Sequence, residues 1–278
     1  AAGYRTGLFH SGRFRYLGMA AMVADRGFEV LADAAEIGGP HAVSFGTDDR
    51  ATAERVLQFI DAGSGPFMAM YMPVAGHHPY RSPGPGARPF AATTEAEHHR
   101  NDLHKGDEAL GELIAGVAAR GLMDRTVWLV MGDHGEAFFE HPGNFAHSLF
   151  VYEENVHIPA VIVVPGALRQ ALRVPQVGGT IDLAPTLLGM LGLTADEHFV
   201  GRDILSMAPE DGRALLSTYQ NLGYLKGDVM TVLQPKRKIE TFRISDNGQE
   251  AQLIANDPKL TNEAIAYFQG AALLMESH

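Results

Sequence analysis

Four short segments frame the chain, the mixed run at residues 4–9 and the apolar runs at 66–72, 127–131 and 158–164. Each is too short for a stable helix and is followed within a few residues by Gly or Pro, so each predicts a strand. Val127-Trp128-Leu129-Val130-Met131 is apolar throughout and reads as a strand buried on both faces. Helical periodicity fills the gaps between the runs. Residues 48–62 start from Thr47 or Asp48 as N-cap and carry Val56, Leu57, Phe59 and Ile60 on one side. Residues 95–120 carry Leu103, Leu110, Leu113, Ile114 and Val117 as a buried stripe, ended by Gly121. A shorter helix is expected over residues 16–25, with loops over 28–48 and 81–92. The order strand, helix, strand, helix, strand predicts a doubly wound, mostly parallel α/β sheet with helices on both faces.

Beyond residue 164 the pattern changes. Asp182 followed by Pro185 marks a helix start. Residues 228–233 and 237–244, with a Gln-Pro turn between them and Asp246-Asn247-Gly248 after them, read as antiparallel hairpins. Residues 260–275 suggest a final amphipathic helix with Ile265, Phe268, Leu273 and Leu274.

Candidate chemistry sits just past the strands, where ligands collect in open α/β sheets. Asp133-His134 follows the 127–131 run at once. Such a pair offers one oxygen and one nitrogen to a single divalent cation, and Gly132 and Gly135 let the backbone turn tightly around it. The competing reading is a polar turn in which Asp133 caps a helix. His10 and Arg13 follow the first run, and His77-His78-Pro79-Tyr80 follows the second. His98, His99 and His104 read as solvated helix residues, because adjacent helix positions point in different directions.

Composition narrows the classes. The chain has 278 residues, 46% of them hydrophobic, enough for a sizeable core. A net charge of −11 argues against a broad nucleic-acid-binding surface. Without Cys there is no disulfide, thiolate metal site or cysteine nucleophile. No apolar run reaches the length of a membrane span, and no signal peptide is visible. The chain begins with Ala and is expected to be a piece of something longer.

Five short matches in order now carry a resemblance: Gly132-Asp133-His134-Gly135-Glu136, Glu140-His141, Phe145-Ala146-His147-Ser148, Tyr152-Glu153-Glu154 and Ile158-Pro159-Ala160-Val161-Ile162. Together they resemble the second metal motif of the sulfatases, members of the alkaline-phosphatase superfamily. Gly3-Tyr4-Arg5-Thr6 with His10, His77-His78-Pro79-Tyr80, the 180–188 run and Gly201-Arg202-Asp203 are similar to other sulfatase segments. The resemblance implies an alkaline-phosphatase-like α/β domain over 1–208 and a small C-terminal α+β subdomain over 209–278. It implies Asp133 and His134 as metal ligands, His77 and His147 as catalytic and substrate-contacting groups, and His10 and Arg13 as substrate-binding groups. Tyr152-Glu153-Glu154 is expected to support the site as a short helix. The family's nucleophile, a formylglycine in sulfatases or a Thr or Ser in phosphotransferases, normally precedes the segment found here at residue 3. The chain is therefore expected to lack that N-terminal part and to be inactive alone.

The implied activity of the parent is metal-dependent hydrolysis of sulfuric esters, with Ca²⁺, Mg²⁺, Mn²⁺ or Zn²⁺ as the cation. His134, in place of the Asn common in sulfatases, tilts the expectation toward Mn²⁺ or Zn²⁺. It also favours, as an alternative, a phosphoglycerol or phosphoethanolamine transferase of the lipoteichoic-acid-synthase type, or a phosphodiester or phosphonate hydrolase. An inactive metal-binding fragment is the third reading. Expected partners are a sulfate- or phosphate-ester substrate and the missing N-terminal part. The parent is expected to be extracytoplasmic, periplasmic or membrane-anchored through that part.

Overall fold

The computed structural model describes residues 3–166, 170–195, 199–245 and 250–276. They form two compact units, Ala1–Val127 with Val164–Ala167, and Trp128–Val163 with Leu168–His278.

The first unit is a parallel sheet covered by helices. Strand β1 (Arg5–His10) is followed by a short helix α1 (Met19–Val23), strand β2 (Val30–Ala32) and one helical turn, α2 (Ala34–Ile37). Helix α3 (Asp49–Asp61), strand β3 (Phe67–Met72) and the long helix α4 (Glu95–Ala119) complete it. The strand order is β2-β1-β3, all parallel. Phe9 of β1 is fully buried against Phe59 of α3, with ring centroids 5.3 Å apart. Asp48 caps α3 by accepting from the Arg50 backbone N–H, and Thr94 and Glu97 form a capping box at the start of α4.

Three expectations are corrected in this unit. Strand β2 lies where a loop was expected; a three-residue edge strand is too short to show a period, and its pairing with β1 alone defines it. The helix expected over 16–25 is broken, because Gly18 takes φ +72° between a 3₁₀ turn and α1. Leu103 is not in the buried stripe of α4 but 47% exposed. That stripe is polar at its start, running Asn101, Asp102, Lys105, Ala109, Leu113, Val117. A hydrophobicity pattern passes over buried positions occupied by polar residues.

The second unit holds strand β4 (Trp128–Met131), the ribbon strands β5 (Ala137–Phe138) and β6 (Phe145–Ala146), helix α5 (Glu153–Val156), strand β7 (Ala160–Val163) and helix α6 (Leu183–Met190). Strands β8 (Arg213–Ser217), β9 (Leu222–Lys226), β10 (Val229–Gln234), β11 (Lys238–Ile244) and β12 (Ala251–Ile254) follow, then helix α7 (Pro258–Glu276). The last five strands form an antiparallel sheet in the order β12-β11-β10-β9-β8. The hairpin of 228–244 is β10–β11; the turn expected at 246–248 lies outside the described residues. Val151 packs with Met230 and Val232 on one face of the sheet. On the other face the Tyr224 hydroxyl donates to Glu263 of α7 at 2.6 Å, and the Tyr224 ring stacks on Tyr267.

Strand β4 also departs from expectation. Among the described residues it pairs with β7 alone, and antiparallel, through Trp128↔Val163 and Val130↔Val161. Val130, Val161 and Val163 are exposed on this ribbon. An unbroken apolar run reports a preference for cover on both faces, not which element supplies it. Among the described residues no helix is long and apolar enough to cross a membrane.

Candidate active site

In the first unit, the loops after β1 and β3 leave the same carboxyl end of the parallel sheet. His10 Nδ1 lies 3.1 Å from the carbonyl oxygen of Met72, the last residue of β3, and its ring stacks on Phe14. Arg13 donates from Nε to the Ser44 carbonyl at 2.8 Å and from Nη2 to the Val43 carbonyl at 3.2 Å. Its guanidinium thus holds the 43–45 turn. Phe45 on that turn rests on the exposed His77 ring, with centroids 4.8 Å apart. All three groups gather at this end of the first unit.

The His77 loop is fastened from below by residues without apolar character. Asp49 accepts from the backbone N–H groups of Val74 at 2.8 Å and Ala75 at 3.0 Å. Asp102 accepts from the Gly76 N–H at 2.9 Å, the Ser82 N–H at 3.0 Å and the Ser82 hydroxyl at 2.5 Å. Lys105 donates to the Ser82 carbonyl at 2.6 Å and to that of Pro83. All three side chains are buried. Burial raises the pKa of Asp49 and lowers that of Lys105, since each loses hydration of its charged form. Sequence reading missed them, although a signal was there. Asp49 is in helical register with Thr52, Ala53, Val56, Phe59 and Ile60, and Asp102 with Lys105, Ala109 and Leu113. A charged residue in phase with a buried stripe has a partner waiting for it.

In the second unit, Gly132 leaves β4 with its N–H donating to the Pro159 carbonyl at 3.1 Å, and the Gly135 N–H donates to Asn155 at 2.9 Å. A Cβ at Gly135 would stand 2.2 Å from the Glu154 carbonyl oxygen, so only glycine permits this approach. Between these anchors the His134 N–H donates to Asp133 Oδ1 at 3.0 Å, which excludes the expected alternative of Asp133 as a helix cap; no helix follows it. His134 Nδ1 lies 2.8 Å from the Gly135 carbonyl oxygen, which accepts only from a protonated Nδ1. The neutral imidazole then keeps a lone pair on Nε2, 3.6 Å from Asp133 Oδ2. The Asp133 side chain is 84% exposed.

His147 enters the same corner from β6. Its ring stacks on His134 with centroids 3.7 Å apart, and its Nδ1 is 2.7 Å from Glu136 Oε2. Ligand atoms of His134, Glu136 and His147 all lie within 4.8 Å of one another. Glu136 belongs to the recognised motif, but sequence alone assigned it no role. Ala146 takes φ +61° just before His147, and its carbonyl accepts from Asn155 Nδ2 at 2.7 Å. Glu154 of α5 accepts from Asn144 at 2.7 Å and bonds His141 at 2.8 Å, while Asn144 also donates to Asn155 at 2.7 Å. Burial works against the Glu154 carboxylate, but His141 and Asn144 outweigh it, and its pKa lies below the ordinary range. Helix α5 therefore braces the segment that carries His147.

Comparison with known proteins gives the family and the fold. A family model described as Sulfatase matches residues 1–193. Human arylsulfatase K is 30% identical over 169 residues, 60% of this chain and 28% of that protein. The match thus spans under a third of that relative's length. A protein in the alkaline phosphatase superfamily from Vibrio parahaemolyticus superposes with a TM-score of 0.82 at 24% identity, covering 99% of this chain and 66% of that one. A structure in complex with its substrate D-glucosamine-2-N, 6-O-disulfate superposes with a TM-score of 0.62 at 15% identity, covering 99% of this chain and 79% of that one. At these identities the two structures establish the fold.

Proposed function

Since the chain belongs to the sulfatase family, we propose that it carries the cation grip and part of the anion-binding machinery of a metal-dependent sulfuric-ester hydrolase. The observation that supports this most is the 3.6 Å spacing of Asp133 Oδ2 and His134 Nε2. Two bonds of about 2.1 Å from one ion, at a tetrahedral angle, put their ligand atoms about 3.4 Å apart. The residues fit such an ion in a second respect: the Gly135 carbonyl fixes the His134 tautomer that leaves Nε2 available. A bound divalent cation would supply Lewis-acid polarisation of the ester and charge neutralisation.

The remaining roles belong to the chain's own side chains. Glu136 holds Nδ1 of His147, which leaves Nε2 to bond an ester oxygen or protonate the leaving alcohol. His77 offers an exposed imidazole to the same kind of oxygen, and His10 and Arg13 shape the adjoining anion-binding loop. No residue among these is a nucleophile, and we propose that the chain alone turns over no ester. The disulfated glucosamine bound by the structural relative and the arylsulfatase relatives favour a sulfate ester as substrate. An imidazole rather than an amide at 134 favours a second reading, a phosphate- or phosphonate-ester enzyme of the same fold.

Calorimetric titration with Mn²⁺, Zn²⁺ and Ca²⁺ tests the grip. One site is expected, weakened on the order of tenfold or more by Asp133→Ala and by His134→Ala. Absence of binding, or binding indifferent to both substitutions, would overturn the assignment.

A further inference from the structure

One buried residue of the second unit bonds to both halves of the site. Asn155 of α5 is 3% exposed. Its backbone carbonyl accepts from the Gly135 N–H at 2.9 Å, one residue after His134 on the turn. Its side chain holds the other half. Nδ2 donates to the Ala146 carbonyl at 2.7 Å, one residue before His147, and Oδ1 accepts from Asn144 Nδ2 at 2.7 Å. The orientation of this amide is forced. A carbonyl only accepts, so the Asn155 nitrogen must face Ala146. Asn144 must in turn present its own NH₂, since the same nitrogen also donates to the Glu154 carboxylate at 2.7 Å.

The bond to Ala146 matters for what it restrains. Ala146 stands at φ +61°, a left-handed conformation that residues with a Cβ avoid. Such a backbone relaxes unless its surroundings over-determine it. The peptide joining Ala146 to His147 is planar, so holding its carbonyl oxygen fixes the direction in which His147 leaves the chain. That direction places the His147 ring on His134, with centroids 3.7 Å apart and planes 26° from parallel. Glu136 then orients the ring through Nδ1 at 2.7 Å.

Resting on the sulfate-ester reading above, we propose that Asn155 is the positioning residue that sets His147 against the cation-binding turn. Its backbone and side chain divide the task. The carbonyl holds the turn that carries Asp133 and His134, whatever side chain stands at 155. The amide holds the peptide that carries His147. Removing the amide therefore displaces the anion-binding imidazole and leaves the cation grip in place. Asn155 acts only through His147 and takes no part in the chemistry of the ester bond.

The first measurement reads position without a ligand, by NMR of the intact chain. The His134 ring current should shield the ring protons of His147, whose resonances are assigned by their absence in His147→Gln. In Asn155→Leu, similar in shape but without a donor, and in Asn155→Ala, those resonances should move back toward solvated imidazole. Adding Ala146→Gly, which makes φ +61° free of strain, should recover shielding and keeps a folded variant in hand. Unshielded parent resonances, resonances unmoved in both variants, or no recovery with Gly at 146, overturn the proposal. The second measurement is calorimetry. In Asn155→Leu the Mn²⁺ affinity should stay within about twofold of the parent, while p-nitrophenyl sulfate binding at saturating Mn²⁺ falls about tenfold, as loss of one charge-assisted hydrogen bond does. Adding Asn155→Leu to His147→Ala should cost nothing more, since both changes act through one group. Equal weakening of Mn²⁺ and ester, the signature of a merely structural brace, overturns the positioning role. If the parent binds Mn²⁺ but neither p-nitrophenyl sulfate nor inorganic sulfate, the sulfate-ester reading falls, and the His147 resonances still decide whether Asn155 positions that ring.

Discussion

Asp49 shows how competing terms act on one side chain. Burial disfavours its charge and raises its pKa, and by that effect alone a neutral isostere would stabilise the first unit. The hydrogen bonds argue the reverse. Each carboxylate oxygen accepts from a different backbone N–H, of Val74 and of Ala75. An amide offers one oxygen and turns its NH₂ toward the other N–H. Asp49→Asn is therefore expected to cost about 1–3 kcal/mol, the penalty for a buried donor left without an acceptor. Urea unfolding would measure it, and an Asn variant as stable as the parent would mean that relief of charge burial dominates. Glu154 gives the pH counterpart. Its folded pKa lies below the unfolded value of about 4.3, so its stabilisation is present above that pH. The stabilisation is lost as pH falls through the lowered folded value. Glu154→Gln should be less stable than the parent at neutral pH and should show a smaller stability loss on acidification below about pH 4.3, followed by thermal unfolding.

Elements were legible where a helical period or an unbroken run of strand-forming residues was long enough to stand out. Helix α3, strands β1 and β3 and the β10–β11 hairpin fall where periodicity puts them. Strands β2, β8, β9 and β12 did not declare themselves; they are short, and their neighbours in the sheets define them. The turn after β4 was legible in its residue types, and its close approach to α5 was not. That approach makes Gly135 a sensitive position. A methyl group there would overlap the Glu154 carbonyl oxygen at 2.2 Å, so the turn or α5 must shift. Gly135→Ala is expected to cost about 1–3 kcal/mol, as overpacking does, and to weaken cation binding because Asp133 and His134 sit on the displaced turn. Thermal unfolding and the metal titration would measure the two effects separately. Unchanged metal affinity alongside lost stability would detach the turn's position from the cation grip.

For the whole molecule the expectation concerns activity. With p-nitrophenyl sulfate or bis-p-nitrophenyl phosphate and Mn²⁺, the chain alone should show no metal-dependent turnover, since none of its site residues is a nucleophile. Appreciable turnover abolished by His134→Ala would show that the chain holds a complete centre. The residue types and their order along the chain were enough to determine the family and the α/β class. Tertiary structure alone decided which carboxylate holds which loop, which tautomer His134 keeps, that Glu136 is the partner of His147, and that the β8–β9 tip stands against Ser148. The physical reason is range. Periodicity and short motifs record how each residue relates to its own helix, strand or turn. A hydrogen bond between Asn221 and Leu149, 72 residues apart, depends on how distant segments pack, and leaves no trace in either local pattern.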